Sequence, residues 1–165
     1  MINAIGAPCQ ADAVWHACLP AMTIVPHSLV TGILAIIVGL GVSLWAVAFV
    51  QRKHGGPTLI LLSIAMLLVG GGFVPTYTGI LAGVAGTRIN APLARWRAHL
   101  SGSARGFLAR VWPWALIAFV VWSLGGWILG HFFNQTMMSL GFALFLIFDL
   151  GLPLLAVLAG FARDM

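Results

Sequence analysis

PTLILLSIAMLLVGGGFVPTYTGILAGVAGTR, residues 57–88, decides how the rest of this chain is read. It is apolar almost throughout, yet Gly70, Gly71 and Gly72, followed by Pro75, interrupt it near its centre. Basic residues flank it: Arg52, Lys53 and His54 come before, Arg88, Arg95, Arg97, Arg105 and Arg110 after. As one helix, Pro57–Thr87 would run about 46 Å, well beyond a hydrocarbon core of about 30 Å. A single crossing would also leave one basic flank outside, against the cytoplasmic preference of Lys and Arg. As two arms, Pro57–Val69 and Thr78–Thr87, each is about 15–20 Å long, too short for a comfortable crossing. The expectation over 57–87 is therefore a re-entrant or short helical hairpin turning at Gly70–Thr78. A single kinked helix is the alternative, because Gly and Pro are tolerated within membrane helices.

The flanking sequence sets this hairpin in a membrane domain. Of the 165 residues 61% are hydrophobic and 7% charged, against roughly 25% charged in soluble domains. So few charges cannot cover a water-facing surface. The length allows about four or five short spans, so one transmembrane domain, 28–165, is expected after an external segment, 1–27. Ser28–Val50 carries no charge and would be about 34 Å long as a helix, a full span. Within it Ala35, Gly39 and Ser43 recur at intervals of four, a face suited to close helix packing. A second span is expected over about 111–130, with Trp112, Trp114 and Trp127 toward its ends as interfacial aromatics. Trp122 falls between them and needs a packing role. A third is expected over about 137–162, after a short external turn at His131–Gln135. Three full spans plus a central hairpin make an all-α polytopic protein.

Between the hairpin and the second span lies an amphipathic segment, 90–110. Leu93, Trp96 and Leu100 share one face, Arg95, Arg97 and His99 lie largely off it, and Ser101-Gly102-Ser103 ends it. It reads as a surface helix, with Arg88, Arg95, Arg97, Arg105 and Arg110 meeting anionic lipid headgroups. The net charge of +5 is then a matter of topology, and no nucleic-acid partner is expected.

Residues 1–27 contain no Lys or Arg. They lack the basic n-region of a cleaved signal and are easily translocated, which puts the N-terminus outside. Arg163 puts the C-terminus inside. Pro8, Pro20 and Pro26 argue against a long helix in the external segment. Its Cys9 and Cys18 would form a short-loop disulfide in an oxidising compartment. A metal site from Cys9, His16 and Cys18, with Asp12 as a fourth ligand, is the sharper alternative, although that spacing matches no standard zinc pattern. Two free thiols are the remaining case.

Two places carry candidate chemistry. Asp149, in LFLIFDLGLPLL, is an acid deep in an apolar span, where an ionisable group marks a proton relay, a cation site or a partner for an arginine. Pro153 leaves a backbone carbonyl near Asp149 unpaired, so the alternative is a neutral Asp hydrogen-bonded to that backbone or to a neighbouring helix. The second place is the hairpin turn. There Gly70, Gly71, Gly72, Pro75, Thr76, Tyr77 and Thr78 would contact an ion or polar ligand, as broken helices do in channels and transporters. Otherwise the glycines serve close packing and Tyr77 anchors the interface. The five histidines form no i, i+4 pair. No P-loop, dinucleotide fingerprint, HExxH or GxSxG motif is present. No enzymatic activity, resident metal or cofactor is expected.

The run Arg52-Lys-His-Gly-Gly56, VGGGF at Val69–Phe73, Pro75 and GILAGVAGTRINAPL at Gly79–Leu93 resembles a group of uncharacterised small bacterial multi-pass membrane proteins. The resemblance covers roughly Pro26 to the C-terminus. It implies a bacterial integral membrane protein and brings no activity, cofactor or catalytic residue. Where such proteins tend to carry a second proline after GGGF, this chain has Thr76. The expected function is a non-enzymatic structural or accessory component of a membrane assembly, as a homo-oligomer or within a larger complex. A small oligomeric channel or transporter using Gly70–Thr78 and Asp149 comes second, and a metal or redox protein using Cys9, His16 and Cys18 third.

Overall fold

The computed structural model of the chain describes residues 3–5, 21–88 and 100–163. They form an all-α protein with one small ribbon and divide into two compact units, the second beginning beyond Asn90. Three helices, Ser28–Ala48, Gly102–Phe132 and Asn134–Arg163, are long and apolar enough to cross a membrane.

In the first unit, strands β1 (Asn3–Ile5) and β2 (Ala21–Thr23) pair antiparallel, Asn3 opposite Thr23. Helix α1 (Ser28–Ala48) follows, ending within two residues of the expected span. A tight connection leads to α2 (Gly55–Leu68); within it the Arg52 and Gly55 amides donate to the Phe49 and Arg52 carbonyls. Trp45 fixes the same corner by donating its indole N–H to the Gly55 carbonyl at 3.1 Å. Helix α2 turns at Val69–Gly72 and returns as α3 (Phe73–Arg88), so 57–87 is a helical hairpin and not one kinked helix. Val42, Leu59 and Met66 are the buried apolar centre of this unit.

The two arms of the hairpin approach at backbone contact, and glycine permits it. A Cβ on Gly56 would meet the Gly83 carbonyl oxygen at 2.5 Å and the Thr87 amide nitrogen at 2.6 Å. One on Gly83 would meet Ile60 Cγ1 at 2.6 Å and the Gly56 carbonyl at 2.9 Å. Gly79 lies against the fully buried Ser63, whose hydroxyl donates to the Leu59 carbonyl. Gly79 and Gly83 form a G-x-x-x-G pair, the spacing that lets membrane helices pack backbone to backbone.

In the second unit, α4 (Gly102–Phe132) turns at Phe133 into a helical stretch, Asn134–Arg163. That stretch comprises α5 (Asn134–Leu144), a π-helical segment (Phe145–Gly151) and α6 (Leu152–Arg163). Helix α6 packs on α4 through small residues: Ala156, Ala159 and Ala162 are buried, as is Ala115 of α4. Gly160 leaves room for Trp112, whose indole nitrogen would stand 3.0 Å from a Cβ there.

Helix α4 corrects the expected boundary at Val111. It begins at Gly102, and the Ser101 hydroxyl caps it by accepting from the Ala104 amide. Arg105 and Arg110 therefore lie on the long apolar helix itself. At 31 residues it is about 46 Å long, longer than a bilayer core of about 30 Å, so it has length to spare for its basic first turns. The expected turn at His131–Gln135 shrinks to Phe133. The rest of the expected amphipathic segment, residues 90–99, lies outside the described residues.

Gly83→Ala should lower the stability of the detergent-solubilised protein by about 1–3 kcal/mol through overpacking. Gly32→Ala, where nothing lies within 4 Å of the added Cβ, should be neutral or slightly stabilising by helix propensity. Thermal unfolding followed by circular dichroism reads both, and equal stability of the two variants would remove the close approach from the account.

Candidate functional site

Three features hold the residues singled out by the sequence. The first is the hairpin turn. Gly70 and Gly72 have φ of 88° and 84°, the left-handed region that glycine enters without steric penalty. The Gly70 and Gly71 amides donate back to Leu67 and Met66, at 3.1 and 2.8 Å. The ribbon covers the same turn: Thr23 pairs with Val69, and the Ile24 amide donates to the Leu68 carbonyl at 3.0 Å.

The turn is shorter than the expected Gly70–Thr78. Pro75, Thr76, Tyr77 and Thr78 belong to the first turns of α3. A proline at the third helical position removes an amide that has no partner within its own helix and presets φ, so it starts the helix and does not break it. Thr76 then donates its hydroxyl to the Gly72 carbonyl at 2.8 Å, and Thr78 donates to the Val74 and Pro75 carbonyls at 3.1 and 2.9 Å. Tyr77 stacks on Phe73, ring centres 6.3 Å apart. The two threonine hydroxyls thus bond backbone of α3 or of the residue just before it.

The second feature is a groove of about 640 Å³ between α1 and the hairpin. Its walls include Ala35, Gly39 and Ser43 from α1 and Gly71, Thr78 and Gly79 from the hairpin. The four-residue spacing on α1 therefore lines a cleft, and the tight packing foreseen for that face occurs between α2 and α3. Ser43 donates to the Gly39 carbonyl, which leaves the groove mainly apolar.

The third feature is Asp149, 7% exposed, in the π-helical segment of the second unit. The Trp122 indole N–H donates to its Oδ1 at 3.2 Å. The same indole stacks on Phe148, centroids 4.3 Å apart. The π-helical segment has its cause in the sequence. Pro153 would drive its ring into the carbonyl four residues back, that of Asp149. Widening the helix relieves this clash, and the Leu152 amide donates to the Ile147 carbonyl, five residues back. Trp122 thus fills the packing role expected of it and ties Asp149 to the neighbouring helix.

The basic residues gather at one end of each unit. In the first, Arg52 stacks over Phe49 at 4.7 Å, and Arg88 closes α3. In the second, Arg163 lies 4.5 Å over Trp112, near Arg105 and Arg110 on α4. Arg95 and Arg97 are outside the described residues, as are Asp12 and the Cys9, His16 and Cys18 of the candidate disulfide and metal site. Among the described residues no three His, Cys, Asp or Glu side chains come together to hold a metal.

Two features escaped the sequence reading. The Gly79–Gly83 spacing was available as a helix-contact signal and governs the hairpin. The Trp122–Asp149 pair had a weaker signal, a mid-span indole donor and a mid-span acid that each need a partner. Comparison with family models, with curated proteins and with solved structures yields no match.

Trp122→Phe keeps an aromatic ring for Phe148 and removes a donor from a buried carboxyl. It should destabilise the protein by about 1–3 kcal/mol, whereas Asp149→Asn, which retains an acceptor oxygen, should cost less. Thermal unfolding in detergent ranks the two variants, and the reverse order would contradict the pairing.

Proposed function

We propose that this chain is a multi-pass component of a bacterial cytoplasmic membrane, N-terminus outside and C-terminus inside, acting by assembly and not by catalysis. The α2–α3 hairpin enters and leaves the bilayer on the side where Arg52, Lys53 and Arg88 lie. The observation that carries the reading is where the polar groups go. Ser43, Ser63, Thr78, Thr87 and Ser123 each donate their hydroxyl to a carbonyl of their own helix, and Thr76 donates to that of Gly72, just before α3. The large apolar side chains face outward: Leu40, Leu44, Val47, Leu124 and Phe142 are all at least 65% exposed. Small residues inside and large ones outside suit a protein whose surroundings are lipid and other membrane helices.

One observation favours transport as a second reading. Asp149 lies in a π-helical segment, and such segments recur at functional sites.

Energy transfer between donor- and acceptor-labelled copies in vesicles separates the two readings. Under assembly through self-association, transfer persists as lipid is added in large excess, and Asp149→Asn changes neither transfer nor ion leak. Loss of transfer on dilution, together with a proton or cation flux abolished by Asp149→Asn, would overturn assembly in favour of transport.

A further inference from the structure

We infer that the groove between α1 and the α2–α3 hairpin is a seat for one acyl chain of an anionic phospholipid, whose phosphate is held by Arg52, Lys53 and Arg88. The three cations share one end of the first unit. Val50 is in contact range of Gly86, and Gly56 of Thr87, so the 51–54 connection and the C-terminus of α3 are neighbours. All three side chains are exposed, and among the described residues this unit contains no acid to pair with them. A cluster of uncompensated positive charge at the edge of an apolar domain attracts an anionic headgroup.

The groove opens toward that end, its nearest walls being Ala46 and Ala82. On α1 it reaches from Ala35 to Ala46, about 16 Å at helical rise. Ala82 of α3 lines it and lies six residues before Arg88, about 9 Å along the helix. A phosphate at the cations thus has the nearer end of an apolar cleft about 9 Å along the helix from it, within reach of a hydrocarbon chain. The bonding of the Ser43 and Thr78 hydroxyls to their own helices leaves walls that ask nothing of a polar ligand. This inference does not rest on the assembly reading, because energy transfer between copies and occupancy of the groove are read separately.

The test uses the full chain in phosphatidylcholine vesicles doped with phosphatidylglycerol that carries a photoactivatable diazirine on its acyl chain. A parallel sample carries the same diazirine on phosphatidylcholine. Adducts are mapped by mass spectrometry after irradiation. Labelling by the phosphatidylglycerol probe should concentrate on Ser43, Met66 and Thr78, over the outward-facing Leu40, Leu44 and Val47. Arg52→Gln, Lys53→Gln and Arg88→Gln should each reduce groove labelling about fivefold and leave outer-face labelling unchanged. Gly39→Leu should block groove labelling with either probe while the helical circular dichroism is kept. Equal labelling of groove and outer face would overturn the inference, as would equal groove labelling by the two probes. So would an unlabelled groove with a disulfide-linked dimer formed by Ser43→Cys in a Cys9→Ser, Cys18→Ser background, since a second copy would then fill it.

Discussion

The backbone approach of Gly56 to Gly83 is the contact on which the first unit depends. Helix axes normally stand about 8–10 Å apart because side chains hold them there. Here α2 and α3 meet where neither residue has a Cβ, and Gly79 and Gly86 extend the close face along α3. Lipid gives apolar side chains little reason to associate, so dispersion between closely apposed backbones and small side chains must hold the hairpin together. Once the arms are fixed, the turn between them is short and needs left-handed conformations at Gly70 and Gly72. The ribbon then covers that turn, and α1 packs along α2 around Val42, Leu59 and Met66.

The second unit follows the same logic with alanine. Ala156, Ala159 and Ala162 recur every three residues along α6 and are buried where it faces α4. Pro153, also buried, continues that spacing, and the π-helical segment immediately precedes it. That segment carries the one acid among the described residues, held by Trp122. A buried carboxyl here is compatible with an apolar span because a donor on the adjacent helix meets it.

Much of this was legible from particular residues. The glycine run before Pro75, bracketed by Arg52–His54 and Arg88, pointed to a hairpin because a single helix would be too long and wrongly charged at one end. The charge-free run from Ser28 marked α1 to within two residues. Pro75 misled the placement of the turn: proline ends a helix in its interior yet begins one in its first turn, and only the position of the preceding break distinguishes the two. The start of α4 was misplaced for a related reason. Arg105 and Arg110 look like surface residues, but a helix longer than the bilayer core can carry them past its edge. The three-residue strands offer too little periodicity to read, and the Trp122–Asp149 pair depends on which helices meet, which spacing along one chain does not encode.

The central claim is that residues 57–87 fold back on themselves. Spin labels at Leu61 and Val84, both on exposed positions of the arms, test it in reconstituted vesicles. In the hairpin the labelled helices are closer than about 10 Å, and the doubly labelled protein should show strong dipolar broadening relative to the two singly labelled ones. A single continuous helix would separate the labels by about 35 Å, and a spectrum without broadening would contradict the account.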